Sequence, residues 1–198
     1  MLIPDVLLTF ETYLHFFNKL LGVKMDNPVT NELAKLPKQT LIELIKMNAE
    51  NWMTLDGLWF SGVEEKFGLD AAVELDVRMW KIGSRVEAKR IKQLLNLGEG
   101  LDSVLRTINF MSWAANFGYE VEHFKNRAVW TCRQCPPQEQ RVKMGMGEFP
   151  CEPTFDACFK NITQVVDPKV KVRCLFCPPG PHPDDAWCQW EFRDKTGS

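Results

Sequence analysis

The chain has 198 residues, 45% apolar and 25% charged, with a formal net charge of -2. That balance predicts a globular fold, one domain with a helical extension, and excludes disorder. It gives no overall pull toward nucleic acid, and no apolar run reaches the roughly 20 residues of a membrane span, so neither partner is expected. The first residues, Met1 to Asp5, carry no basic n-region and no small-residue cleavage site, which predicts a cytoplasmic protein. In a reducing cytosol cysteines stay as thiols or metal thiolates, and seven is an odd number for a disulfide framework.

Residues 5–22 carry Val6, Phe10, Tyr13, Phe17 and Leu20 at helical spacing, a packing helix that could contribute to a homodimer. Asn27-Pro28 starts a short helix, the amide as cap and the proline at the first position. Residues 1–36 are thus expected to form a helical extension, 37–194 a single α+β domain, and 195–198 a tail. After Pro37, Leu41, Ile45, Asn48, Trp52, Leu55, Trp59 and Val63 fall on one helical face, with Asn48 as a buried amide in need of a partner. Within Asn51 to Phe60, two tryptophans, an acid and a glycine could line an apolar pocket with one polar anchor. Trp52, Asp56 and Trp59 are therefore pocket candidates, and Trp113 joins them. The plain alternative is that Gly57 permits close packing and Asp56 is solvated.

A third helix, about 70–96, presents Leu75, Met79, Ile82, Val86, Ile91 and Leu94. Its charged run from Arg85 to Lys92 reads as a solvated face. A fourth, about 101–114, buries Val104, Ile108 and Met111. From Gly118 the period becomes two. Strands with Tyr119 and Val121, then Trp130 and Cys132, are followed by a partly helical polar stretch and a helix from Pro153 to Val166. Strands through Cys174 and through Cys188 follow. The order β-β-α-β-β predicts a four-stranded antiparallel sheet covered by helices on one face.

All seven cysteines lie between Cys132 and Cys188. Strand parity turns Cys132, Cys174 and Cys188 inward. Cys135 and Cys177 end their strands before Pro-Pro, Cys151 sits where a helix starts, and Cys158 is core filler. Two Cys-x-x-Cys pairs at hairpin ends of one sheet resemble a split zinc site, so Cys135, Cys151, Cys174, Cys177 and Cys188 are the candidate metal ligands. His182 and Asp184 are spare candidates. An iron–sulfur cluster could use the same thiolates. Inert buried thiols and a Cys132/Cys135 redox pair remain alternatives.

Gly147-Glu-Phe-Pro-Cys151, then a helix, then Arg173-Cys174, then Cys188-Gln-Trp-Glu-Phe192 resembles the 4-vinyl reductase-like domain. The ending is also similar to the L-2-amino-thiazoline-4-carboxylic acid hydrolase family. The Cys-Pro-Pro-Gln, Gly-Glu-Phe-Pro-Cys and Asp-Gly-Leu-Trp-Phe signatures look like an uncharacterised cytosolic family of anaerobes allied to both. The resemblance implies a 4-vinyl reductase-like α+β fold and a small-molecule-binding role with a zinc site. Cys151, Cys174 and Cys188 match that domain's cysteines, whereas Cys135 and Cys177 are additional. The expected function is a zinc-thiolate, small-molecule-binding domain whose ligand is apolar or aromatic. The alternative is a hydrolase of a small cyclic or sulfur-containing substrate with Glu148 as general base. Whether the protein is an enzyme is left open by the sequence.

Overall fold

The computed structural model describes residues 28–194. The amphipathic stretch 5–22, with the dimer contact expected of it, and the tail 195–198 lie outside them. The chain divides into two compact units, Met1–Leu44 and Ile45–Ser198. In the first, Pro28 opens the short helix α1 (Pro28–Ala34), and α2 (Lys38–Phe67) begins after Pro37. The second unit holds the sheet and the sites described below.

The fold class is α+β, with six helices and one four-stranded antiparallel sheet among the described residues. Helices α3 (Leu69–Leu94) and α4 (Leu101–Asn109) precede strands β1 (Gly118–His123) and β2 (Arg127–Gln134). Helices α5 (Pro136–Lys143) and α6 (Glu152–Val166) come next, then β3 (Val170–Phe176) and β4 (Cys188–Asp194). Two helices, where the sequence suggested one and a partly helical stretch, therefore separate the hairpins. The strand order is β1-β2-β4-β3, so β2 and β4 are central. Proline has no N–H to lose at the first turn of a helix, and Pro136 accordingly initiates α5 directly after Cys135.

The alternation expected of the strands sets the core. Trp130 pairs with Trp190, Cys132 with Cys188 and Ala128 with Phe192 across the two central strands. All six side chains are buried. Phe159 of α6 packs edge-on against Trp130, Trp190 and Phe192, with ring centroids 5.2–5.6 Å apart. Helix α3 then packs along α6. Its buried stripe is Ala72, Asp76, Trp80, Ser84, Ala88 and Ile91. The small residues of that stripe, Ala72, Ser84 and Ala88, let the two helices approach closely.

Three helix faces differ from the sequence reading. On α2, Asn48 is exposed, and so are Ile45, Leu55 and Trp59 at 67%, 68% and 48%. The inward side is instead Ala49, Trp52, Met53, Asp56 and Phe60. On α3, Leu75, Ile82 and Leu94 are exposed, and the stripe centred on Asp76 and Trp80 takes their place. The charged run of α3 is only partly solvated. Glu87 accepts hydrogen bonds from the backbone N–H (2.5 Å) and hydroxyl (3.2 Å) of Ser112. Lys92 donates to the Val166 carbonyl at 2.8 Å, where it caps the C-terminus of α6 and complements the helix dipole.

Candidate functional site

A cavity of about 570 Å³ lies within the second unit, between α2, α3, α5, the segment after α5, α6 and the turn near Trp113. Its wall is aromatic and aliphatic, with Phe60, Trp80, Trp113, Phe117, Phe149 and Phe155 supplying the rings. Trp113 is 2% exposed and packs edge-on against Phe117 and Phe155 at 5.6 Å. Such rings are held by many neighbours and define a preformed apolar wall.

Two carboxyl groups interrupt that wall, Asp56 from α2 and Asp76 from α3. Asp76 is 5% exposed and accepts a 2.7 Å hydrogen bond from the Thr154 hydroxyl. Asp56 accepts no hydrogen bond from the described residues. Burial penalises the charged form of an acid, and here it raises Asp56 to about 7, with the nearby Asp76 charge adding to the effect. Burial likewise raises Asp76 to about 6, opposed by its bonds from Thr154 and Trp80. The basic residue of the wall, Arg141, is committed elsewhere. It forms a two-point ion pair with Glu64 at 2.5 and 3.0 Å, and its Nε is buried without a partner.

Of the pocket residues the sequence suggested, Asp56 and Trp113 line the cavity. Trp52 stands behind the wall with its ring 5.1 Å from that of Trp80, and Trp59 is on the exposed side of α2. Asp76 and Phe149 were missed. Asp76 had a readable signal, since it stands one helical turn from both Ala72 and Trp80.

A second cluster consists of sulfur. Cys132, Cys135, Cys151, Cys177 and Cys188 are all buried, and Cys174 is half-buried. Cys132 and Cys188 face each other across the central strands. The Cys132 thiol donates to the Gln134 carbonyl at 3.3 Å. The neighbouring Cys132 and Cys177 thiols hold the proton affinity of Cys188 well below that of an ordinary thiol. Cys177 contacts Cys151 with sulfurs 3.4 Å apart. The adjoining thiols, Cys135 and then Cys188 for Cys132, and Cys151 and then Cys188 for Cys177, together with burial, raise both. Burial pushes Cys174 up to about 12.

Local structure builds this cluster. Cys135 and Cys151 are the N-cap residues of α5 and α6. Positive φ at Gly145 (72°) and Gly147 (73°) turns the chain back after α5, a conformation glycine adopts without steric cost. The wholly buried Gln138 then clamps the returning segment. Its amide donates to the Phe149 carbonyl at 2.6 Å and accepts from the Phe149 N–H at 2.9 Å. The same amide lies 3.4 Å from the Cys151 sulfur. His182 bridges to Glu148 at 3.2 Å, and a bond to the Pro183 carbonyl, then the Glu148 charge, raises the imidazole. Asp184 is exposed. Among the described residues no group of three or more His, Cys, Asp or Glu side chains is arranged to hold a metal ion. Nor is any helix among them long and apolar enough to cross a membrane.

No curated protein and no solved structure matches the chain. Residues 34–194 match a family described as a family of unknown function (DUF6125), and the chain belongs to that family.

Proposed function

We propose that the protein is a metal-containing, small-molecule-binding domain of the 4-vinyl reductase-like type that works in the cytoplasm. The observation that carries this reading is the 570 Å³ cavity with aromatic walls and two carboxyl groups. Apolar surface left open at that volume is costly unless a ligand covers it, and a few buried polar groups are what fix a ligand's orientation. The ligand is apolar or aromatic in its bulk.

Zinc is the metal that suits the sulfur cluster. Zinc is held tetrahedrally at Zn–S distances of about 2.3 Å, which puts sulfurs roughly 3.8 Å apart. The 3.4 Å contact between Cys151 and Cys177 needs to open by a few tenths of an ångström to match. Cys135, Cys151, Cys177 and Cys188 would be the four ligands. Two of them, Cys135 and Cys151, stand at helix N-termini, and the neighbouring Cys132 and Cys177 thiols hold Cys188 well below an ordinary thiol. Four protein ligands close the coordination sphere, so zinc there would be structural and would tie the two hairpins to α5 and α6. Cys132 and Cys174 would stay protonated beside it.

A second reading, hydrolysis of a small cyclic or sulfur-containing substrate, is favoured by Asp56. A carboxyl raised to about 7 beside an apolar cavity is poised as a general base. Glu148, the base suggested by sequence, is engaged by His182 and is outside the cavity lining.

Elemental analysis with an ultraviolet–visible spectrum, on protein purified without oxygen, tests the metal. About one zinc per chain, lost in Cys177→Ser, is expected. Iron with visible absorption replaces zinc by an iron–sulfur cluster, and metal-free protein removes this half of the reading. Thermal shifts with indole, naphthalene and toluene test the cavity. Stabilisation that disappears when Met53→Trp fills the space is expected, whereas no shift with any of them overturns ligand binding.

A further inference from the structure

The charges around the cavity do not balance, and the imbalance names a ligand chemistry. The two carboxyls on its wall come from different helices, α2 and α3, and each influences the other's ionisation. Asp76 has the Thr154 hydroxyl, while Asp56 has no hydrogen-bond donor among the described residues. From α5, Arg141 faces the same space, but its charge is neutralised by Glu64 in a two-point pair. From α6 the lining contributes Thr154, Phe155 and the neutral Cys158 thiol. Two acids thus share an aromatic cavity with no uncommitted cation on its wall. Burying acids without a partner is unfavourable, and asparagine or leucine would serve better if the cavity held only hydrocarbon. Aromatic faces with adjacent carboxylates make a favourable setting for an organic cation, because the ring quadrupole and the anion act together.

We infer that the ligand carries a protonated amine on an apolar or aromatic body, with the ammonium group seated at Asp56 and Asp76 among the rings of the cavity. This inference rests on the ligand-binding reading and specifies its chemical class. The ammonium supplies the donors that Asp56 lacks. Because Asp56 in the empty cavity holds its proton up to about pH 7, binding of the cation displaces that carboxyl proton to solvent. Charge balances when one –COOH and one –NH3⁺ become a –COO⁻/–NH3⁺ pair plus a released proton.

The test is isothermal titration of the full chain at pH 7 with three probes of matched shape: 2-phenylethylamine, 2-phenylethanol and 3-phenylpropanoate. The amine should bind at least about tenfold more tightly than the alcohol, a gap of roughly 1.4 kcal/mol. The carboxylate should be weakest. Heats in two buffers of different ionisation enthalpy should show proton release with the amine and none with the alcohol. Asp56→Asn should remove the amine's advantage while leaving alcohol affinity in place, and Asp76→Asn gives the same comparison should the first variant fold poorly. An amine that binds no better than the alcohol overturns this inference and leaves the cavity a general apolar site. Failure of all three probes overturns the inference and ligand binding in this cavity together.

Discussion

The second unit buries carboxyl groups in two opposite ways. On the outer face of the sheet, Glu191 of β4 is 3% exposed and ringed by three guanidinium groups. Arg127, Arg173 and Arg193 approach it at 3.0, 2.9 and 3.1 Å. Their bonds, led by Arg193, hold Glu191 below the ordinary carboxylate range. Across the fold, Asp56 and Asp76 line the apolar cavity, and burial raises both, although Asp76 accepts a hydrogen bond from Thr154. The contrast teaches that burial by itself says little about a carboxyl's role. Glu191 is buried by its own partners and is complete. Asp56 is half-buried on the cavity wall with no hydrogen-bond partner among the described residues.

Changes to each site should separate the two cases. The largest effect is expected at Asp56. Its folded state binds a proton more tightly than the unfolded chain, so stability falls as pH rises between about 4 and 7 and is flat above that. Asp56→Asn should therefore stabilise the protein at pH 8, by on the order of 2 kcal/mol once partial solvent access is allowed for, and by almost nothing near pH 4. Urea denaturation across that range measures the difference. A loss of stability at pH 8 would show that Asp56 has an internal partner.

Glu191 should behave in the reverse sense. Its lowered folded value stabilises the protein above the unfolded carboxylate range, and this is lost as pH falls through the folded value. Glu191→Gln should cost about 1 kcal/mol at pH 7, modest because the arginines reach solvent. Wild type and variant should converge in acid in the same denaturation experiment. The smallest effect is expected at Thr154→Val, which removes a donor from Asp76. Carboxyl carbon NMR should place the Asp76 titration at higher pH in the variant, with a stability change below about 1 kcal/mol.

The sheet was readable because a strand has only two faces. Once Trp130, Trp190 and Phe192 are placed inward, parity carries Cys132 and Cys188 with them, and their register makes them neighbours. The cysteine clustering was readable for the same reason. The contact of Cys151 with Cys177 was not, because it depends on a turn through Gly145 and Gly147 and on the Gln138 clamp. The helices misled because hydrophobicity does not point inward by itself. Leu55, Leu58 and Trp59 are exposed at 48–68%, whereas the acid beside them, Asp56, lines the cavity. A stripe drawn through the largest apolar residues of α2 therefore selects the wrong side. Choosing the other side requires knowing that Asp76, Thr154 and Arg141 wait there, and those lie on three other helices.

Helix α5 belongs to both sites. Pro136, Pro137, Gln140 and Arg141 line the cavity, while Cys135 at its start and Gln138 within it touch the sulfur cluster. This helix of eight residues thus forms a shared wall. Any displacement of it is felt on both sides, so a metal proposed at the thiols and a ligand proposed in the cavity would not be independent of one another. By thermodynamic reciprocity, whatever factor a metal at the thiols imposes on ligand affinity, the ligand imposes on the affinity for metal.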